Sequence, residues 1–127
     1  MTVQHNLEVV RQRIRRACAS AARAEDSVRL LLATKLQPPS VLQSAIDAGA
    51  TLFGENRIQE ALRKIEEMPN APVSWHFIGH LQSNKVRDAL RFATCIESVG
   101  TVSLAMALDK ELQRQGRALD VLSLIHI

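Results

Sequence analysis

The chain has 127 residues, 46% of them hydrophobic and 23% charged, with a formal net charge of +3 and a sequence pI near 9.3. Those figures describe one ordinary globular domain, able to bury roughly two-thirds of its unfolded surface. No stretch approaches the length needed to cross a membrane, and 3% aromatic content without any tyrosine leaves few base-stacking surfaces.

The N-terminus, Met1 to Asn6, lacks the apolar core of a signal peptide. Cys18 and Cys95 stand far apart with no paired spacing, as reduced thiols of a cytoplasmic protein do. Leu7, Val10, Ile14, Cys18 and Ala21 recur at intervals of three and four and predict a helix. Much of the basic excess lies there and just after it, at Arg11, Arg13, Arg15, Arg16, Arg23 and Arg29. The wet face of an amphipathic helix accounts for this cluster better than a phosphate-binding patch does.

An apolar strand follows over residues 28–34, and Pro38, Pro39 and Ser40 open a helix through Ala45 and Ile46 that Gly49 stops. A second strand is expected at Thr51–Phe53, then a loop at Gly54 and Glu55. Asn56, with Gln59 three residues later, reads as a capped start for a helix bearing Ile58, Ala61, Leu62 and Ile65 on one side. The third strand is expected at Val73–Gly79, and Ser83 as the cap of a short helix to about Arg91. A fourth strand spans Thr94–Val99, a helix carries Val102, Ala105, Leu108 and Leu112 to Gly116, and a fifth strand begins at Ala118 to Val121.

The strands thus begin near residues 28, 51, 73, 94 and 118, about 21 to 24 residues apart. Apolar strands alternating with amphipathic helices imply βαβ crossovers and a parallel sheet. The regular spacing favours a (β/α)8 TIM-type barrel over a doubly wound sheet. A full barrel takes eight units and typically about 250 residues, so the fold class is α/β, an incomplete barrel of about five strands with an N-terminal helix. Residues 1–121 are read as the N-terminal part of one barrel domain. Leu122 to Ile127 resembles the translation of a transposon-type sequencing adapter and is read as a non-native tail; the alternative is a genuine apolar strand extension.

Three segments carry chemistry, each at a predicted strand end, where barrels build their active face. The first is Thr34-Lys35. A lone amine closing a buried strand is poorly solvated, which favours its neutral form, and a neutral amine attacks aldehydes to form Schiff bases. The plain alternative is a lysine marking the solvent end of a core strand. The second segment is Phe53-Gly54-Glu55-Asn56-Arg57-Ile58-Gln59-Glu60. The third is Trp75-His76-Phe77-Ile78-Gly79-His80-Leu81-Gln82-Ser83-Asn84-Lys85.

The strings Phe-Gly-Glu-Asn-x-x-Gln-Glu and Trp-His-Phe-Ile-Gly-x-Leu-Gln-x-Asn-Lys resemble those of the pyridoxal phosphate homeostasis proteins, whose fold is similar to the N-terminal barrel of alanine racemase. The resemblance covers residues from about 5 to 121, roughly the first half of a family member. It implies pyridoxal 5′-phosphate as cofactor and Lys35 as the lysine that holds it as a Schiff base. Asn56 and His76 are then cofactor-pocket candidates. Asn56 is equally explained as a helix cap, and His76, facing away from Trp75 and Phe77, as a core histidine. Gly54 permits a backbone turn that a side chain would block. Glu55 either serves the pocket or is a solvated loop carboxylate.

His80 is a weaker candidate, and with His76 and Glu55 it shows no recognised metal-ligand spacing. Ser83 and Asn84 open a helix whose N–H groups can bind an anion, or simply cap it; Lys85 and Arg87 read as solvated. The family's phosphate-gripping segment falls beyond this chain, so cofactor binding by these residues alone is expected to be weak. The resemblance implies a cofactor-holding protein in intracellular pyridoxal phosphate homeostasis, without turnover of its own, monomeric when full length. The alternative is a racemase-like pyridoxal-dependent enzyme with Lys35 as base. Nucleic-acid binding through the basic first helix is the weakest reading, because the charge excess is small.

Overall fold

The structure, a computed structural model, describes residues 2–125. Helix α1 (Val3–Ser20) precedes five strand-led units: β1 (Leu32–Ala33), α2 (Pro39–Asp47), β2 (Leu52–Glu55), α3 (Ile58–Glu67), β3 (Ser74–Phe77), α4 (Val86–Ala89), β4 (Cys95–Val99), α5 (Val102–Gln115) and β5 (Asp120–Ser123). All neighbouring strands are parallel and the sheet order is β1-β2-β3-β4-β5. A doubly wound sheet would reverse direction at a switch point. Uninterrupted sequential order is instead the arrangement of a (β/α) barrel, here an arc of five strands, as the spacing of the apolar runs predicts.

The helices are set by local chemistry. Thr2 caps α1 by accepting from the His5 amide at 3.0 Å, and Thr101 caps α5 by accepting from the Leu104 amide at 3.1 Å. Pro39 occupies the first turn of α2, where its missing N–H costs nothing. Gly116 closes α5 in the left-handed region at φ +64°. Beyond the end of α2, Arg11 of the first helix donates to the Ala48 carbonyl at 2.6 Å. That arginine is therefore a tertiary clasp between α1 and α2, not part of a wet face.

The core lies on the helix side of the sheet. Phe53 and Trp75 meet edge to face at 5.3 Å and pack with Leu7, Leu42 and Ala45. Phe77, Ile96 and Val99 pack with Leu104, Leu108 and Leu112 of α5. Strand residues alternate faces, so Ala33, Gly54, His76, Cys95 and Asp120, which lie opposite one another in register, occupy the other face.

Several boundaries move. The expected seven-residue first strand has only two ladder residues, because β2 begins at Leu52 and leaves residues 28–30 without a partner; Thr34 still donates its amide to the Gly54 carbonyl at 3.0 Å. In α1 only Leu7 and Cys18 of the predicted face are buried, while Val10 stays exposed. The stretch after Ser83 is a 3-10 turn (Ser83–Lys85) leading into α4, and the Ser83 side chain makes no capping bond. Of the suspected tail, Leu122 and Ser123 belong to β5 and the Leu124 amide reaches the Val99 carbonyl at 2.7 Å; His126 and Ile127 lie outside the described residues.

Candidate functional site

Lys35 sits in the turn directly after β1 and is exposed. The expectation of a poorly solvated amine is not met, since Thr34 is the last buried residue and the chain leaves the sheet before Lys35. Its neighbour Leu36 adopts φ +62°. For an L-residue that left-handed conformation costs about 1–2 kcal/mol, and it persists only where surrounding contacts impose it.

One such contact closes the turn itself, the Gln37 amide donating to the Thr34 carbonyl at 3.2 Å; the others come from a buried ionic group that sequence patterning does not reveal. Lys64 of α3 is 3% exposed and Glu55 at the end of β2 is fully buried. Lys64 Nζ lies 2.7 Å from Glu55 Oε1, an ion pair without the alignment of a hydrogen bond, and 2.8 Å from Glu60 Oε1. The same Nζ donates to the Thr34 carbonyl at 2.5 Å. Thr34 Oγ1 donates to Glu55 Oε2 at 2.9 Å, and the Leu36 amide donates to Glu60 Oε1 at 2.5 Å. The hydrogen bond from Lys64 chiefly, aided by the one from the Leu36 amide, holds the Glu60 carboxyl below its usual range against a smaller opposing effect of burial. Glu55 is thus no solvated loop carboxylate. Lys64 occupies the inward stripe of an otherwise amphipathic helix, where an aliphatic residue is the usual expectation; only its position one turn after Glu60 hints at pairing.

Asn56 does not cap α3, whose capping position is Arg57 with no side-chain bond. Asn56 Oδ1 is instead buried without a hydrogen-bond partner. The Asn56 backbone is crowded by Gly79, where an added Cβ would come within 2.7 Å of Asn56 Cα. Gly54 likewise serves a close approach: a Cβ there would meet Leu31 Cδ2 at 2.5 Å. The two sequence strings are therefore interlocked, β2 against the end of β3, with the Ile78 amide donating to the Glu55 carbonyl at 2.9 Å.

His76 lies within β3 on the face opposite Trp75 and Phe77, as the alternation predicts. Its Nδ1 bonds Glu97 Oε1, and Cys95 Sγ completes a cluster in which the three ligand-type atoms lie within 4.8 Å of one another. Sequence reasoning missed Cys95 and Glu97, which reach His76 only through the β3–β4 register. Among the described residues this is the one such grouping; Glu55 and His80 do not join His76. Burial first, then the carboxylates of Glu97 and Asp120, push the Cys95 thiol up. His80 is exposed, Lys85 is half-buried, and Arg87, largely exposed, lies 3.4 Å from Glu111.

Lys35 lies in the turn after β1 and Asn56 in the bend after β2, so each stands just beyond the C-terminal end of one of two adjacent parallel strands. His76 instead lies within the β3 ladder, opposite Gly54. A cavity of about 360 Å³ borders Asn56, Phe77 and His80, but Lys35 and His76 do not line it.

A protein of Haemophilus influenzae named pyridoxal phosphate homeostasis protein is 37% identical over 129 residues, matching 100% of this chain and 54% of that protein. Its namesake in Aquifex aeolicus is 35% identical, again over 100% of this chain and 56% of its own length. The chain is a homologue of the pyridoxal phosphate homeostasis proteins. It spans about half the length of the curated relatives it matches. Among solved structures, PipY of Synechococcus elongatus PCC7942 with PLP bound superposes with a TM-score of 0.71 at 35% identity, covering 85% of this chain and 51% of PipY. The same protein without PLP gives 0.72 at 36% identity, over the same shares of the two chains. An unknown protein from Bifidobacterium adolescentis gives 0.78 at 35% identity, over 93% of this chain and 52% of the other. No family model matches the chain. Among the described residues no helix is long and apolar enough to cross a membrane.

Proposed function

We propose that this chain contributes the amine-bearing part of a pyridoxal 5′-phosphate site, with Lys35 holding the cofactor as a Schiff base, and that the protein serves cofactor homeostasis rather than turnover. The observation that carries the reading is an exposed lysine, Lys35, in the turn at the C-terminal end of β1, with Asn56 just beyond the end of the adjacent parallel strand β2. The residues present fit the group. An exposed primary amine suits the cofactor's aldehyde, and a buried carbonyl oxygen without a partner, Asn56 Oδ1, calls for a donor of the kind a protonated ring nitrogen or ring hydroxyl supplies. His76, tied to Glu97, lies on the same face of the sheet as Gly54, whose strand leads to Asn56. The names of the relatives and the PLP-bound PipY support the same reading.

The cofactor supplies an electrophilic carbon; the chain supplies the nucleophile, the backbone geometry that presents it and the acceptor at Asn56. Addition of pyridoxal 5′-phosphate should produce the visible absorbance of a lysine Schiff base, and Lys35→Ala should abolish it. An unchanged signal in that variant refutes the assignment. A full-length relative should hold the cofactor more tightly than this chain does. Absence of α-proton exchange from amino acids in deuterated water would support the homeostasis role, whereas exchange that depends on Lys35 would establish an enzyme.

A further inference from the structure

We infer that Lys64 and Glu60 are positioning residues for Lys35: a clamp on α3 grips the peptide on both sides of the reactive lysine and fixes the direction in which its amine leaves the sheet. The inference rests on the reading of Lys35 given above and names residues outside the set that meets the cofactor.

The grip is two-sided. Before Lys35, the Thr34 carbonyl accepts from Lys64 Nζ at 2.5 Å, while Thr34 is anchored to the sheet by its amide on the Gly54 carbonyl and its hydroxyl on Glu55. After Lys35, the Leu36 amide donates to Glu60 Oε1 at 2.5 Å. Lys64 ties the two halves together by pairing with both Glu55 and Glu60. Leu36 adopts φ +62° as the third residue of a turn closed by the Gln37 amide on the Thr34 carbonyl at 3.2 Å, and its own amide is fixed from outside the turn by Glu60. A lysine in a turn would otherwise sample many directions. Reaction at an aldehyde bound at one place depends on presenting the amine at one angle, and misplacement on the scale of 1 Å can cost roughly a hundredfold in rate.

The clamp also explains why α3 buries a lysine at all. An aliphatic side chain would pack there at less desolvation cost but offers no donor to the Thr34 carbonyl.

The chain contains its own control. Its lysines are Lys35, Lys64, Lys85 and Lys110, and Lys110 is exposed on α5, far from the clamp in sequence. Pyridoxal 5′-phosphate is added and the imine is trapped with borohydride: the amine nitrogen bonds the aldehyde carbon, the carbonyl oxygen leaves as water, and hydride with a proton reduces the C=N bond. Peptide mapping then gives the labelling rate at Lys35 relative to Lys110. The parent chain should favour Lys35. Glu60→Ala and Lys64→Met should each lower the ratio by roughly tenfold, and Glu60→Gln, which keeps the acceptor for the Leu36 amide, should restore most of it. Leu36→Gly, which relieves the positive φ and keeps the backbone amide that donates to Glu60, should leave the ratio near the parent value. A ratio unchanged in Glu60→Ala overturns the clamp while leaving the Lys35 reading intact, and so does a ratio that falls as far in Leu36→Gly, which keeps the clamping bond. No preference for Lys35 in the parent overturns that reading and the clamp with it.

Discussion

Replacing Lys64 with methionine isolates the energetic role of the buried ionic group. Methionine keeps the volume and the aliphatic stem of lysine but removes the ammonium that lies 2.7 Å from Glu55 Oε1 and 2.5 Å from the Thr34 carbonyl. Glu55 is fully buried, so water cannot replace the lost partner. Breaking a buried pair from one side costs about 3–5 kcal/mol, a large fraction of the roughly 5–15 kcal/mol that holds a domain of this size together. In a thermal melt that is a drop in Tm of roughly 10–20 °C. The double variant Lys64→Met with Glu55→Gln removes the stranded charge and should recover more than half of the loss, because Thr34 Oγ1 keeps an acceptor at that position. Urea unfolding of the parent, both single variants and the double variant forms the cycle that separates pairing from packing. A Lys64→Met protein within about 1 kcal/mol of the parent, an amount typical of an exposed pair, refutes the claim that the pair is buried and structurally required.

Three further outcomes follow from the geometry. Gly79→Ala should destabilise by about 1–3 kcal/mol in urea titration, and by more than Gly54→Ala, because the added Cβ meets Asn56 backbone in the first case and the movable tip of Leu31 in the second; the reverse order would contradict the interlocking of β2 with β3. Glu111 is held down to about 2 from the ordinary 4.5 of a glutamate, first by its hydrogen bond from Arg114 and then by that from Gln115. With the folded value depressed, the unfolded state binds more protons in that window. Glu111 therefore contributes stability above pH 4.5 that is lost as pH falls toward 2. Acid unfolding of Glu111→Gln should show a shallower loss across this range, and an identical acid limb would refute the assignment. The Cys95 thiol, pushed up by burial and by Glu97 and Asp120, should alkylate more slowly than a free thiol near about pH 8. Glu97→Gln should speed that reaction, and no change would remove Glu97 as a cause.

What the sequence made legible divides along physical lines. Strand and helix periodicity depends on neighbours within a few residues, so the βα alternation, the sheet order and the side on which His76 falls could all be read from local pattern. The motif strings located the strand ends and the glycines, but not their reasons: Gly54 is small because Leu31 passes close and Gly79 because the Asn56 backbone does, contacts between residues about 23 apart in sequence (54 − 31 and 79 − 56) that no local pattern shows. Asn56 shows how a local rule misleads. Its position three residues before Gln59 satisfies a capping pattern, yet the cap falls one residue later and the asparagine is turned inward with its oxygen unpaired. Lys64 was invisible for the opposite reason. Helical lysines are almost always solvated, and only the folded arrangement puts Glu55, Glu60 and the Thr34 carbonyl around one ammonium. The recognisable lysine, Lys35, is exposed, while the unrecognised one, Lys64, is buried and bonded. The amine proposed to hold the cofactor is legible because Schiff-base chemistry requires its residue type; the support around its turn is not, because many buried arrangements could hold a turn and only the fold selects this one.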